Sequence, residues 1–407
     1  MFGNVTPETA ITFVRFSISL ICCWPLPAVA TKTQVLCFRI SKVLNILSVL
    51  GLFFPVLYAL IHHDDDIVEL TKKVIIVVGC VNVITQILLS SLQYDRFQLN
   101  VEEEARSSFG KNHNFYDIFQ RLVETITANF QNANFYERCV FQRYVDMYSK
   151  FYGLAVLWIY TIAVVFIFGS IFLPQPFPLL SEYPFRVDYE PLRTIIFVHQ
   201  AIFSFQCSAA ISINMFAALL LLYASARFEI LMIDMRKATS VHALVECLEK
   251  FHMVTRIAKD IVEGTQFIAL FTVLYSSVPI IFGGLNIIGR HAIVIKLQFL
   301  FLSWMSLMEV FMCVLPADNL INVSENTVRS VYESKWYDQI LDVQKTVLRI
   351  LVPQVPIAIS VKCVIPILSL EYYCSYVSHA VSLFTTLRLV WVEEADVLGF
   401  RSTNSTC

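Results

Sequence analysis

"EYYCSYVSHAVSLFTTLR" runs from Glu371 to Arg388, and the fold turns on how it is read. Between its charged ends, residues 372–387 contain no Asp, Glu, Lys or Arg. The run falls short of the roughly 20 residues that a spanning helix needs. If it spans a membrane, it is the seventh segment to do so, and an odd count puts the chain termini on opposite sides.

Working outward, the rest of the chain supports that reading. Residues 43–61, 74–94, 151–181, 194–226 and 264–289 are free of charged side chains. A charge at bilayer depth is costly, so such runs mark spans. The sixth, 292–315, carries Lys296 near its start and Glu309 near its end. Lys296 can snorkel to the interface, and Glu309 is expected where the helix leaves the membrane ahead of Pro316. Composition agrees. Of 407 residues, 57% are hydrophobic and 15% charged, whereas a soluble domain is nearer half apolar and a quarter charged. The excess apolar surface is expected to face lipid. A net charge of −2 gives no reason to expect a nucleic-acid partner.

The eleven cysteines form no CxxC and no Cys/His cluster at ligand spacing, so we expect free, buried thiols, no metal and no cofactor. Near the N-terminus, "SISLICCWPLPAVA" imitates a signal peptide. Its apolar core is short, Glu8 precedes it and "WPLP" breaks it, so it reads as a membrane-skimming cytoplasmic segment.

Basic residues set the orientation. Arg15, Lys32, Arg39 and Lys42 crowd the first segment, "HHDDDIVEL" follows the first span, and Glu393, Glu394 and Asp396 follow the last. All three favour the N-terminus inside and the C-terminus outside. The long connections carry apolar residues at helical spacing, as in "FEILMIDMRKA", and are expected as helices. The reading is an all-α membrane protein. Residues 1–42 form a cytoplasmic segment. Residues 43–315 form a six-helix bundle with helical cytoplasmic loops at 95–150 and 227–263. Residues 316–371 form a further cytoplasmic segment, 372–390 the last helix and 391–407 an extracellular tail. Of the sequons, Asn4 and Asn322 are expected inside, and Asn404 outside.

On a helical wheel, Ser375, Ser378, His379, Ser382, Thr385 and Thr386 share one stripe of the last helix. Tyr376, Val377, Val381, Leu383, Phe384 and Leu387 lie opposite. Weakly polar groups in hydrocarbon need partners. Three readings stay open: close packing within one subunit, the lining of a pore made by several subunits, or a transporter path, although no repeat symmetry supports the last.

Three ordered stretches resemble insect odorant receptors: "SVYESKWYD" (Ser330–Asp338), "PILSLEYYCSY" (Pro366–Tyr376) and "AVSLFTTLR" (Ala380–Arg388). The resemblance implies a seven-helix odorant-gated, non-selective cation channel in the plasma membrane of olfactory neuron dendrites. It implies a heterotetramer in which a ligand-tuning subunit joins a shared co-receptor, held together by the cytoplasmic helices and the stretch around 336–351. The last helix, with Ser375, His379 and Ser382, would line the pore, and the gate positions would be Thr386 and Val390. Thr386 departs from the family's usual aliphatic residue, and the chain continues well past the "LR". The second cytoplasmic loop lacks the co-receptor's long insertion, so this chain is expected to be a tuning subunit.

The ligand implied is a small, volatile, apolar odorant. An enclosed apolar pocket with a few polar groups suits it, and the resemblance puts that pocket in the outer half of the bundle. The candidates there, chosen by depth, are Asn82, Trp158, Thr161, Val165, His199, Phe203, Gln206, Tyr275 and Phe299. A G-protein-coupled receptor would have its N-terminus outside and an NPxxY motif. A gustatory receptor would carry "TYxxxxxQF". Neither motif occurs. No HExxH, GxSxG or P-loop points to an enzyme.

Overall fold

The computed structural model describes the backbone of residues 5–26, 30–62, 67–104, 115–172, 189–237, 240–289, 291–333 and 364–403, with short stretches between them; the side chains of 91–122 and 387–403 lie outside the description. Nine helices are described: α1 (Pro7–Ser17), α2 (Lys32–His62), α3 (Ile67–Glu104), α4 (Phe115–Asn132), α5 (Phe135–Phe172), α6 (Leu192–Lys237), α7 (Val241–Ile288), α8 (Ile293–Glu333) and α9 (Leu370–Thr403). Among the described residues the one β feature is a bridge between Val361 and Ile365. Six helices, α2, α3 and α5 to α8, are long and apolar enough to cross a membrane. α9, whose side chains are described as far as Thr386, packs beside α7 and α8.

α6 forms the centre. Its most apolar stretch is 78% buried, against 22% to 44% in the other five. Small residues make this possible: Ala209, Ala210, Ala217, Ala218, Ala224 and Ala226 are all buried and let neighbouring backbones come close. The buried hydroxyls of Ser208, Ser212 and Ser225 donate to carbonyls one turn back, which meets the rule that polar groups in an apolar medium find partners. Around α6 stand α1, α2, α3, α5, α7 and α8.

The helices run on beyond the apolar runs. α5 begins at Phe135 and α6 continues to Lys237, and charged pairs join these extensions: Arg143 with Glu229 and Arg227 with Glu137. Arg236 reaches Glu333 of α8 at 3.8 Å. Partly exposed pairs of this kind contribute little energy each, but they lie where charge is tolerated. Ser240 starts α7 by accepting from the Ala243 amide at 3.1 Å, the usual role of an N-cap.

Near the N-terminus, α1 packs against α5 and α6. Gln142 of α5 donates to Val5 O, and Tyr160, far along the same helix, donates to Ser17 O, so α1 runs lengthwise against α5. Val14, Ser17, Ile18 and Ile21 are buried there, while Phe16 is 77% exposed. At the other terminus, the helix expected to end at residue 390 continues to Thr403, since no Gly or Pro interrupts the sequence before Gly399.

Pro316 sits inside α8. Lacking an N–H, it leaves the Met312 carbonyl, four residues back, without its helical donor. Tyr152 Oη of α5 takes that place, donating to Met312 O at 2.8 Å in a buried position. Tyr152→Phe is expected to leave the carbonyl unpaired and cost about 1–3 kcal/mol. A lowered thermal midpoint of the purified, detergent-solubilised receptor, with its fold otherwise intact, is the check.

Candidate functional site

α9 is fastened at its start. Asp318 Oδ1 of α8 accepts from the Leu370 amide at 3.0 Å, and Ser369 Oγ accepts from the Tyr372 amide at 3.3 Å. One face then meets the bundle. Tyr373 Oη donates to Leu307 O at 3.4 Å, and its ring lies 5.4 Å from that of Phe311. Tyr376 Oη lies 3.2 Å from Ser277 Oγ of α7. Because Ser277 gives its one proton to Val273 O at 2.7 Å, Tyr376 is the donor.

Two turns further on, Phe384 rests on Gly284 of α7, where any Cβ would overlap its ring. Gly283, beside it, faces α8, and a Cβ there would stand 2.6 Å from Ser303 Oγ. The adjacent glycines therefore admit two different helices against α7 at one level.

The opposite face of α9 is open. Ser375, Ser378, His379, Ser382, Thr385 and Thr386 are all exposed in the single chain, so the stripe does not serve packing within the subunit. The apolar side divides: Tyr376, Val377 and Phe384 turn inward, whereas Val381 and Leu383 are exposed. Thr385 and Thr386 both donate to Ser382 O, at 2.8 and 2.9 Å. With that proton engaged, each hydroxyl presents acceptor lone pairs. The side chains of Val390, Arg388, Glu393 and Glu394 lie outside the described residues, as do Asn4 and Asn404.

The nine ligand candidates fall into separate groups. His199, Phe203 and Gln206 share one face of α6, turned toward α2. His199 Nε2 donates to Ser48 O at 2.8 Å, and Gln206 Nε2 donates to Asn45 Oδ1 at 2.7 Å. Phe203 and Gln206 are buried. On α3, Asn82 Oδ1 accepts from Gln86 Nε2 at 3.5 Å, and Thr85 meets Tyr275 of α7 at 2.8 Å. Phe299 is buried where α8 meets Gly283. The amide oxygens of Gln86 and Gln206 are buried and have no partner among the described residues. Trp158, Thr161 and Val165 need correction. They lie on the outward face of α5, with Val165 61% exposed, because depth along a helix does not fix which way a residue faces. They cannot wall an enclosed pocket within one chain.

Sequence reasoning missed a buried polar cluster. Glu309 of α8 is 9% exposed, in the packed interior and not at a helix exit. Its carboxylate accepts from Asn214 Nδ2 of α6 at 3.4 Å and from Ser276 Oγ of α7 at 3.1 Å. Asn214 Oδ1 in turn accepts from Thr272 Oγ1 at 2.8 Å and Cys313 Sγ at 3.2 Å. Thr272/Ser276 and Glu309/Cys313 are i, i+4 pairs, so each helix offers two groups on one face. The signal in the sequence was Asn214, the one Asn in the apolar run 194–226, which needed a partner as much as Glu309 did.

A family model described as 7tm odorant receptor matches residues 66–381. The insect olfactory receptor OR5 from Machilis hrabei, in complex with eugenol, superposes with a TM-score of 0.69 at 12% identity, covering 94% of this chain and 99% of that one. A second structure of OR5 from the same insect gives 0.69 at 13% identity, covering 93% and 97%. At such identity the likeness is one of fold. No curated protein sequence matches.

Proposed function

The chain belongs to the 7tm odorant receptor family, and on that premise we propose that it is the ligand-recognising subunit of an odorant-gated, non-selective cation channel formed with a shared co-receptor. The family match favours this reading over the gustatory-type and G-protein-coupled alternatives. The subunit would sit in the plasma membrane with its N-terminus inside and its C-terminus outside, as the basic residues of the first segment argue.

One observation carries the channel reading. α9 packs by one face on α7 and α8 and leaves its hydroxyl stripe exposed. A weakly polar stripe is a poor lipid surface and a good wall for a water-filled path shared between subunits. Hydroxyl oxygens whose protons are given to the backbone suit a cation better than an anion. Ser375, His379, Ser382 and Thr386 would line that path, with Val390 beyond them as the second gate position. The ligand would be a small, volatile, apolar molecule. Asn82, His199, Phe203, Gln206, Tyr275 and Phe299 are the proposed lining, and the unpartnered amide oxygen of Gln206 would favour an odorant that carries one hydrogen-bond donor. The odorant acts only through a higher affinity for the conducting state.

The test is current recorded from cells expressing this chain with and without an insect odorant co-receptor, across a panel of volatiles. Cation current that needs both chains is expected. Thr386→Val keeps the side chain's size but removes the hydroxyl, so unitary conductance is expected to fall at unchanged surface amount. A chain that reaches the surface yet signals through a G protein without the co-receptor would overturn the reading.

A further inference from the structure

One path from the Glu309 cluster to α9 runs through a pair of neighbours on α7. Ser276 turns inward and donates to the Glu309 carboxylate. Ser277, next in sequence, turns toward α9 and accepts from Tyr376. A helix cannot rotate one of these residues without the other, because successive side chains stand about 100° apart on a rigid frame. Whatever fixes Ser276 therefore fixes the position at which Ser277 receives Tyr376.

The described hydrogen bonds of Glu309 go to Asn214 and Ser276, neither a proposed odorant-lining residue nor part of α9. Its bonds instead tie α8 to α6 and α7 at the level where α9 is held. We propose that Glu309 is a positioning residue for gating: through Ser276 and Ser277 it sets where Tyr376, and with it the last helix, stands, and so sets the balance between conducting and closed states. This rests on the channel reading above. Opening requires α9 to move relative to its neighbours, and the Tyr376–Ser277 bond is broken or strained by such a movement. A buried network with all its bonds made resists rearrangement, so the α7 end of that bond does not follow α9 passively.

The experiment records concentration–response curves for one activating volatile, with the co-receptor present, and normalises them to surface amount. Glu309→Gln, which keeps the side chain's shape, and Tyr376→Phe, which removes one hydroxyl, are each expected to shift the half-maximal concentration by about tenfold, in the same direction. Ligand-independent current as a fraction of maximum should move with it. The double variant is expected to shift no further than the larger single one, because both act through one link. Tyr152→Phe, whose bond caps the Met312 carbonyl, serves as the structural control. It should lower stability and leave both readouts unchanged. If Glu309→Gln fails to reach the surface, Ser276→Ala and Ser277→Ala carry the same test. Variants that change only the surface amount, or shifts that add independently, would overturn the proposal. A wild-type pair that gives no odorant-gated current would overturn the channel reading instead, so the two failures are distinguishable.

Discussion

Gly284→Val is expected to cut odorant-gated current about tenfold at equal surface amount, and Phe384→Ala in the same chain is expected to restore most of it. The Phe384 ring lies where any Cβ on Gly284 would stand. The variant must therefore expel the ring or push α9 away from α7. Overpacking of a filled contact costs about 1–3 kcal/mol, and here the strain falls on the helix proposed to line the path. The ring can swing on its own bonds, but in doing so it gives up the contact that seats α9. Removing the ring opens the space the valine needs, so rescue by the second substitution separates a packing clash from general damage to α7. Gly283→Val makes the comparison sharper. It would clash with Ser303 and Phe299 of α8, and Phe384→Ala is expected to give it no rescue.

Asn214→Leu is expected to remove most folded receptor from the cell surface. Asn214 is nearly fully buried and serves three groups on two other helices: Glu309, Thr272 and Cys313. A leucine fills similar space but leaves a buried carboxylate with one described donor and strands a hydroxyl. Each buried polar group left unpaired costs about 1–3 kcal/mol, more for a charged one. That sum is comparable to the whole stability of a typical domain, about 5–15 kcal/mol. Surface biotinylation, together with the thermal midpoint of detergent-solubilised protein, measures the loss. Asn214→Asp keeps the acceptor for Thr272 and Cys313 but sets a carboxylate against Glu309, and is expected to fail as well.

The architecture was legible because the membrane penalises charge so heavily. Runs such as 194–226 and 264–289 announce themselves, and the stripe through Ser375, Ser382 and Thr386 follows from helical spacing alone. What lay out of reach was direction. Trp158 and His199 were chosen at similar depth, yet one faces out of the chain and the other donates to α2. A one-dimensional pattern fixes which residues share a face of a helix but not which neighbour that face meets. Glu309 was misread for a related reason. Nearness to Pro316 suggested an exit, but α8 continues through that proline with Tyr152 covering the freed carbonyl. Nothing in the sequence sets Gly283 and Gly284 apart. Their importance lies in the Ser303 hydroxyl and the Phe384 ring set against them, which belong to two other helices.

The central place of α6 also bears on how the protein is made. Helices enter the bilayer in the order of synthesis, and α2 and α3 can pair as soon as both are inserted. The long-helix neighbours of α5 are α6 and α8, and neither exists when α5 leaves the ribosome. α5 must therefore wait in lipid, or in the care of the insertion machinery, with the face it will turn to α6 uncovered. Each long helix made after α6, up to α8, then docks against a surface already in place. A chain broken before residue 192 would lack the helix that joins the α2–α3 pair to α5, whereas a lesion within α6 disturbs the seams with α1, α2, α3, α5, α7 and α8 at once. The fourth long helix acts as the template for assembly, and quality control in the cell should respond most strongly to changes there.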